Sequence, residues 1–212
     1  MTLRTDAYPS SGSSSAPTFV SSLVERLAPA AVRPIDARLA TALKVTVGVV
    51  LLALLAQVRL QVGPVPITGQ TLGVLLIGAG YGLSLGLTTV LAYLLLGAVG
   101  LPLFAGGASG LAYLAGPTGG YLVGFVLATA LLGLFVRRAW DRSMASCAVA
   151  MLVASLAIYL PGLVWLKLYL GLEWAATIGV GLTPFLGGDI IKLVIAAVAL
   201  PGAWRLLGHK PS

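Results

Sequence analysis

Long apolar stretches dominate this 212-residue chain. Several approach the ~20 residues that an α-helix needs to cross a bilayer, and they are continuous rather than alternating like the strands of a membrane β-barrel. The pattern therefore predicts an all-α membrane protein. The clear spans are 40–58, 120–136, 146–168 and 185–204.

The apolar block 70–99 is too long for a single span. At 1.5 Å per residue, one helix over this block would be about 45 Å long, whereas the hydrocarbon core of a bilayer is ~30 Å thick. Glycines interrupt the block on both sides of Tyr81, and they favour a turn there. We therefore predict two short spans, 70–80 and 83–99, which gives six transmembrane helices in total.

Charge supports six spans rather than five. Only 9% of the residues are charged, against ~25% in typical soluble domains. The net charge of +7 lies mostly in loops and tails, so it indicates topology rather than a nucleic-acid-binding surface. Six spans and a cytoplasmic N-terminus keep Arg137, Arg138 and Arg142 inside, as the positive-inside rule requires. Both termini are therefore predicted to be cytoplasmic.

Composition divides the chain into three segments. Residues 1–37 form a tail rich in Ser and Pro, which is either disordered or contains a short interfacial helix at 18–32. Residues 38–207 form the membrane domain, and residues 208–212 form a C-terminal tail.

The most informative polar residues are Asp189 and Lys192, which lie inside the last apolar stretch. Ionisable side chains are costly in hydrocarbon and persist where they pair, line a cavity or bind a ligand. A spacing of three residues places both on one face of a helix. The carboxylate only accepts hydrogen bonds and the ammonium only donates them, so a small ligand with N–H groups beside a carbonyl would satisfy both. The alternative is a structural ion pair that binds nothing.

Several features meet on the predicted outer side. Two loops rich in Gly and Pro, 61–69 and 100–119, lie there together with the start of the last helix. Short or Gly-interrupted spans often mark a substrate site. Nearby aromatic side chains could wall an outer cavity, although each alone is more typical of the core or of the interfacial belt. These are Phe104, Tyr113, Tyr121, Trp165 and Tyr169.

The sequence offers no set of catalytic residues. It has no Gly-x-x-x-x-Gly-Lys-Ser/Thr loop for nucleotide phosphates. Its one histidine, His209, and its one cysteine, Cys147, cannot form a His/Cys metal site. We therefore expect no enzymatic activity and no cofactor, and interpret the chain as a binding or transport protein.

Four motifs follow one another along the chain. They are 63–70 (GPVPITGQ), 100–107 (GLPLFAGG), 116–121 (GPTGGY) and 188–192 (GDIIK). With these motifs in this order, about residues 40–205 resemble the BioY proteins, which are the biotin-specific substrate-binding (S) components of energy-coupling factor (ECF) transporters. The resemblance implies a six-helix S-component fold in a prokaryotic plasma (inner) membrane, with biotin bound near the outer face.

The same resemblance implies roles for individual residues. Asp189 and Lys192 would hold the ureido ring of biotin, and the loop 106–110 looks like a lid that adds a polar contact. Some relatives have Asn where this chain has Ala108, so a neighbouring group is expected to replace that contact. The further substrate-binding candidates are Ser109, Gly107, Tyr121, Gln70 and Trp165.

The resemblance also implies partners, namely a transmembrane coupling (T) protein and cytoplasmic ATPase subunits, in addition to biotin and membrane lipids. Two other hypotheses remain open. One is a self-sufficient secondary transporter of a small amide or zwitterionic solute, which would be expected to carry further acids inside the membrane. The other is a scaffold subunit in which Asp189 and Lys192 are purely structural.

Overall fold

The computed structural model describes residues 18–20, 22–23, 36–140 and 143–206. The long elements are the helices α1 (Ala37–Gln57), α2 (Gln70–Ala98), α3 (Gly119–Val136), α4 (Met144–Leu170), α5 (Trp174–Gly181) and α6 (Thr183–Leu206). The short elements are the strands β1 (Arg59–Leu60) and β2 (Ile67–Thr68), a 3-10 turn (Ala105–Gly107) and a one-turn helix (Leu111–Leu114).

Local capping sets the ends of α1 and α4. Asp36 precedes α1 and accepts a hydrogen bond from the backbone N–H of Arg38 at 3.0 Å. Ser143 does the same for α4, with Ser146 as the donor. These bonds satisfy N–H groups that the first turn of a helix leaves free. Gly171 ends α4 in the left-handed conformation, with φ 65°, which glycine adopts without a steric penalty.

The helix α2 is two antiparallel arms that meet at Gly82. This residue has φ 73° and ψ −175°, a combination that is essentially restricted to glycine. The side chains of Gln70 and Tyr93 are 2.7 Å apart, although a straight helix would separate them by about 34 Å. The prediction of two spans in this block is therefore confirmed.

The chain is a multi-pass helical membrane protein. Five described stretches are long and apolar enough to cross a membrane. One of these stretches is α2, which consists of two helical arms. The arms 70–81 and 83–98 measure about 18 and 24 Å, so both are shorter than the ~30 Å hydrocarbon core. Counting each arm gives the six helices that the sequence predicts.

The core lies where α2, α3 and α4 pack together. Small residues allow this close approach: a Cβ atom at Gly124 of α3 would lie 2.6 Å from the carbonyl oxygen of Ile158 on α4. Gly133 faces the backbone of Leu83 in the same way. Close helix–helix contacts of this kind replace the hydrophobic driving force that is absent in lipid.

The end of the bundle that is predicted to face outward, called the outer end below, contains several short elements that the sequence analysis missed. No helix is predicted between the spans 146–168 and 185–204, yet α5 fills much of this interval, and α6 begins at Thr183. Eight residues that include two glycines are too short for a clear helical period. The neighbouring strands β1 and β2 form an antiparallel ladder in which Arg59 pairs with Thr68.

The predicted tails lie mostly outside the described residues. Of the tail 1–37, the structure describes residues 18–20, 22–23, 36 and 37. Residues 19–20 and 22–23 are helical, and Ser22 N–H donates to the carbonyl of Thr18 at 3.1 Å. The C-terminal tail 208–212 lies outside the described part of the chain.

Candidate ligand-binding site

A cavity of about 470 Å³, including its solvent-open part, lies between the outer ends of α2, α3, α4 and α6. The wall is mostly apolar and aromatic, with few polar groups. The aromatic members are Tyr113, Tyr121, Phe125, Tyr159 and Phe185. The polar members are Thr68, Gln70, Thr71, Thr118 and Lys192.

Lys192 brings the only charged side chain among the lining residues. Its Nζ donates to the carbonyl of Thr68 at 2.8 Å, to Oγ1 of Thr71 at 2.9 Å and to Oδ1 of Asp189 at 3.1 Å. All three ammonium donors therefore have acceptors. The contacts to Thr68 and Thr71 cross from α6 to the start of α2, so Lys192 closes one side of the cavity.

Asp189 lies directly behind this wall. One carboxylate oxygen pairs with Lys192, and the other accepts a hydrogen bond from the hydroxyl of Tyr159 on α4. The side chains of Asp189 and Lys192 are each 15% exposed. The prediction that both residues lie on one helix face is therefore confirmed, and both are paired where a charge in hydrocarbon would be costly.

The pair retains some hydrogen-bonding capacity. A carboxylate has about four lone-pair sites, and Asp189 uses two of them within the described residues. Lys192 has no free donor, so a ligand carbonyl must replace one of its acceptors. The hydroxyl of Thr71 is free to rotate, whereas the carbonyl of Thr68 is fixed in the β ladder. The site therefore offers acceptors to ligand N–H groups and a donor that can change partner.

Gln70 connects the two outer loops from beneath the cavity. It is 5% exposed, and its Oε1 accepts from the hydroxyl of Thr68 at 2.9 Å. Its Nε2 donates to the hydroxyl of Tyr93 at 2.7 Å, and that hydroxyl donates to the carbonyl of Leu103 at 3.0 Å. The amide is thus satisfied at both ends, and it positions the strand β2 relative to the loop that follows α2.

Tyr121 belongs to an aromatic cluster on the apolar side of the cavity. Its ring lies 6.1 Å from that of Tyr159, edge to face, and 6.2 Å from that of Phe185. Its hydroxyl donates to the carbonyl of Gly181 at 2.7 Å, which fixes the end of α5. The cluster presents ring surface to the cavity, as a site for an apolar ring system requires.

Tyr113, also predicted as a wall residue, lines this cavity, whereas the other predicted residues lie away from it. Trp165 is 40% exposed, and its Nε1 donates to the carbonyl of Gly116 at 2.8 Å. Gly107 is exposed and Ser109 is half-buried in the loop after α2, and neither lines the cavity. Phe104 is fully buried beneath Tyr113. The structure therefore brings Asp189, Lys192, Gln70 and Tyr121 together, and ligand contact by any of the candidates stays a prediction.

Sequence reasoning missed several residues of the site, among them Tyr159, Phe185 and Thr71. Tyr159 and Phe185 sit in apolar spans, where an aromatic residue carries no signal of its own. Thr71 directly follows the motif that ends at Gln70, and this position could have marked Thr71 as a candidate site residue. Its partner Lys192 is 121 residues away along the chain, and only the folded bundle brings them together.

A second cavity adjoins the first on its outer side and is called the vestibule here. It has a volume of about 660 Å³, including its solvent-open part. Pro66, Tyr113 and Thr118 line both spaces, and the vestibule wall also includes Arg59. Burial raises the pKa of Tyr113, while hydrogen bonds that involve Thr118 and Ala105 and the positive charge of Arg59 oppose the increase.

Sequence comparisons identify close relatives of the chain. The model of the BioY family matches residues 28–209. A probable biotin transporter BioY of Pyrococcus horikoshii is 42% identical over 154 residues, which cover 73% of this chain and 88% of the relative. The biotin transporter BioY2 of Lactococcus lactis is 32% identical over 165 residues, which cover 78% of this chain and 90% of the relative.

A solved structure has the same fold. The crystal structure of the S-component for biotin from an ECF-type ABC transporter matches with a TM-score of 0.72. The match covers 85% of this chain and 97% of that one at 24% sequence identity.

Proposed function

The chain belongs to the BioY family, and we propose on this premise that it binds biotin and serves as the substrate-specific subunit of an ECF-type importer. A cyclic urea fits this site well, because it carries two N–H donors beside one carbonyl acceptor.

One observation supports the proposal most strongly: Asp189 and Lys192 meet at the wall of the outer cavity. The ureido N–H groups would donate to the lone pairs that Asp189 still has. The ureido carbonyl would accept from Lys192 in place of Thr71. Both bonds are charge-assisted, so they are stronger than bonds between neutral groups.

The aromatic side of the cavity suits the rest of the molecule. The thiophane ring would lie against the cluster of Tyr121, Tyr159 and Phe185, which presents apolar ring surface. Tyr159 has two roles in this arrangement, because its ring packs in the cluster and its hydroxyl holds the Asp189 carboxylate. Selectivity would therefore combine a few placed polar groups with a mostly apolar wall.

Orientation and partners follow from the same hypothesis. Arg137 and Arg138 lie at the end of the bundle opposite the cavity, so the positive-inside rule places the cavity on the outer side and both termini in the cytoplasm. A transmembrane coupling protein and cytoplasmic ATPases would supply the energy. Binding and transport, rather than catalysis, are the proposed activities.

Equilibrium binding of radiolabelled biotin to the purified, detergent-solubilised full chain tests this function. We expect saturable binding below micromolar concentration. Replacement of Asp189 by Asn, or of Lys192 by Ala, should weaken it by about 100-fold, since loss of one partner of a buried charge pair costs roughly 2–5 kcal/mol.

A matched control is Lys167→Ala, because this lysine also lies near the outer end but donates to the carbonyl of Leu172 outside the cavity. Its affinity should be within threefold of the wild type. Well-folded wild-type protein that binds no biotin would refute the proposed function. The structural role of the ion pair would then be the better hypothesis.

A further inference from the structure

Arg59 is a cation at the cavity mouth whose side chain has no hydrogen bond or ion pair within the described part of the chain. It is the first residue of β1, is exposed, and lines the vestibule. Lys167, another basic residue of the outer end, donates to a carbonyl and lies over the ring of Trp174. Arg59 thus differs from Lys167 in retaining its full donor capacity.

The loop after α2 positions the guanidinium group of Arg59. Gly106 has φ 74°, and the guanidinium nitrogens occupy the space that a Cβ atom at this residue would need. A residue with a side chain would therefore displace the guanidinium as well as strain the loop. The charge also acts on Tyr113, which lines both the cavity and the vestibule. The guanidinium therefore lies beside the opening between the two spaces.

The β ladder connects this cation to the ion pair. Arg59 lies directly opposite Thr68, and residues so paired have Cα atoms about 5 Å apart with side chains on the same face of the sheet. The carbonyl of Thr68 accepts from Lys192. Thr68 thus lies between the backbone of Arg59 and the ammonium group of Lys192, which would donate to the ureido carbonyl.

Charge balance indicates what the vestibule would bind. Asp189 and Lys192 neutralise each other, which leaves the guanidinium as an uncompensated positive charge at the mouth. A planar guanidinium binds a carboxylate through two parallel hydrogen bonds. Biotin carries its ureido ring at one end and a carboxylate at the end of a short acyl chain.

We propose that Arg59 binds the carboxylate of the ligand in the vestibule while Asp189 and Lys192 hold its ring system in the cavity. This inference rests on the proposed function and adds a second polar anchor to it. The acyl chain would pass Tyr113 and Thr118, which line both spaces. The site would therefore select for a ligand with a negative charge at a defined distance from its cyclic urea.

The test measures affinity for biotin and for biotin amide, a neutral analogue that keeps the ring system and chain. Both ligands compete with radiolabelled biotin on the full chain in detergent. We expect the wild type to prefer biotin by about 10-fold or more, the size expected of a partly exposed charge-assisted pair. In Arg59→Gln, affinity for biotin should fall by that factor while affinity for the amide changes by less than threefold.

Two further variants complete the design. Arg59→Lys keeps the charge without the planar fork and should retain part of the preference. Lys167→Gln removes another outer cation and should leave the preference unchanged. Because Arg59 is exposed, its variants should fold normally. The salt dependence of the biotin Kd gives a second readout: the Kd should increase with salt concentration in the wild type and in Lys167→Gln, and this increase should be lost in Arg59→Gln.

The outcomes separate the two proposals. Equal weakening of biotin and the amide in Arg59→Gln, or no change in either, would overturn the role of Arg59 and leave biotin binding intact. A wild type that binds both ligands equally well would overturn it too. A wild type that binds neither ligand would instead refute the proposed function.

Discussion

The central helix hairpin α2 and the outer end of α6 both form the cavity, but they are stabilised in different ways. In the apolar part of α2, 56% of the residues are buried, compared with 17% in the stretch Trp174–Lys192, which contains α5 and the outer end of α6. The arms of α2 are held by close backbone packing against α3. The outer end of α6 is held instead by a hydrogen bond that Asp189 accepts from Tyr159 and by one that Lys192 donates to Thr68.

The difference indicates where ligand binding can act. A ligand that replaces a hydrogen-bond acceptor of Lys192 changes the contacts that connect α6 to β2 and to the start of α2. The packing of the α2 hairpin against α3 does not change. Variants in the hairpin should therefore act mainly on stability, and variants at the outer end of α6 mainly on affinity. The predictions below run from the largest expected effect to the smallest.

The largest effect is expected at α6. Lys192→Met keeps most of the side-chain volume but removes the donors to Thr68, Thr71 and Asp189. Biotin affinity should fall by about 100-fold because the Asp189 carboxylate loses its counter-ion. Equilibrium binding measures this effect, with Lys167→Met as the control within threefold of the wild type. A Lys192→Met protein with wild-type affinity would show that the ammonium contributes no ligand contact.

In the packed centre, Gly124→Ala should lower stability. The new Cβ would lie 2.6 Å from the carbonyl oxygen of Ile158, so α3 and α4 must separate at a cost of about 1–3 kcal/mol. The thermal midpoint of unfolding in detergent should fall by roughly 5 °C. Gly187→Ala is the matched control, because nothing lies within 4 Å of its Cβ position. Equal midpoints for the two variants would contradict the close packing of α3 and α4.

Gln70→Leu combines both kinds of effect. It removes the bonds to Thr68 and Tyr93 and leaves buried hydroxyls without those partners, at about 1–3 kcal/mol. We expect lower stability and roughly tenfold weaker biotin binding, since the carbonyl of Thr68 loses its fixed position. The control is Thr88→Val, because Thr88 is exposed on the second arm of α2 and lines neither the cavity nor the vestibule. It should change neither quantity. If Gln70→Leu changes neither, then Gln70 does not position β2.

The smallest effect is expected for Thr71→Val. The bound ligand is proposed to replace the hydroxyl of Thr71 at Lys192, so removing that hydroxyl should change biotin affinity by less than threefold. Equilibrium binding of radiolabelled biotin to the variant and to the wild type measures this change. A tenfold loss would show that the hydroxyl is retained in the complex and that Lys192 gives up a different acceptor.

Sequence reasoning could predict the features that depend on local composition. The apolar runs give the spans, and the glycines beside Tyr81 give the turn at Gly82, because a break in a helix leaves a local signature. Asp189 and Lys192 stand out since ionisable residues are rare in apolar spans. The helix α5 was missed because eight residues show too little of the helical period.

The remaining part of the site depends on contacts between distant residues. Tyr159 lies 30 residues from Asp189, and Thr71 lies 121 residues from Lys192. Neither pair has a local pattern, because helix packing alone brings them together. Arg59 resembles an ordinary interfacial cation in the sequence. Only its pairing with Thr68 and its place in the vestibule suggest a function.

The ureido carbonyl itself offers the most direct test of the central hypothesis, that Asp189 and Lys192 hold a cyclic urea between them. Iminobiotin replaces the carbonyl oxygen with nitrogen and keeps the rest of the molecule. The resulting cyclic guanidine is protonated at neutral pH, so it offers no acceptor to the ammonium group of Lys192. The wild type should bind iminobiotin at least about 100-fold more weakly than biotin, and Lys192→Met should lose most of that preference. Equal affinity of the wild type for biotin and iminobiotin, or an unchanged preference in Lys192→Met, would contradict the hypothesis.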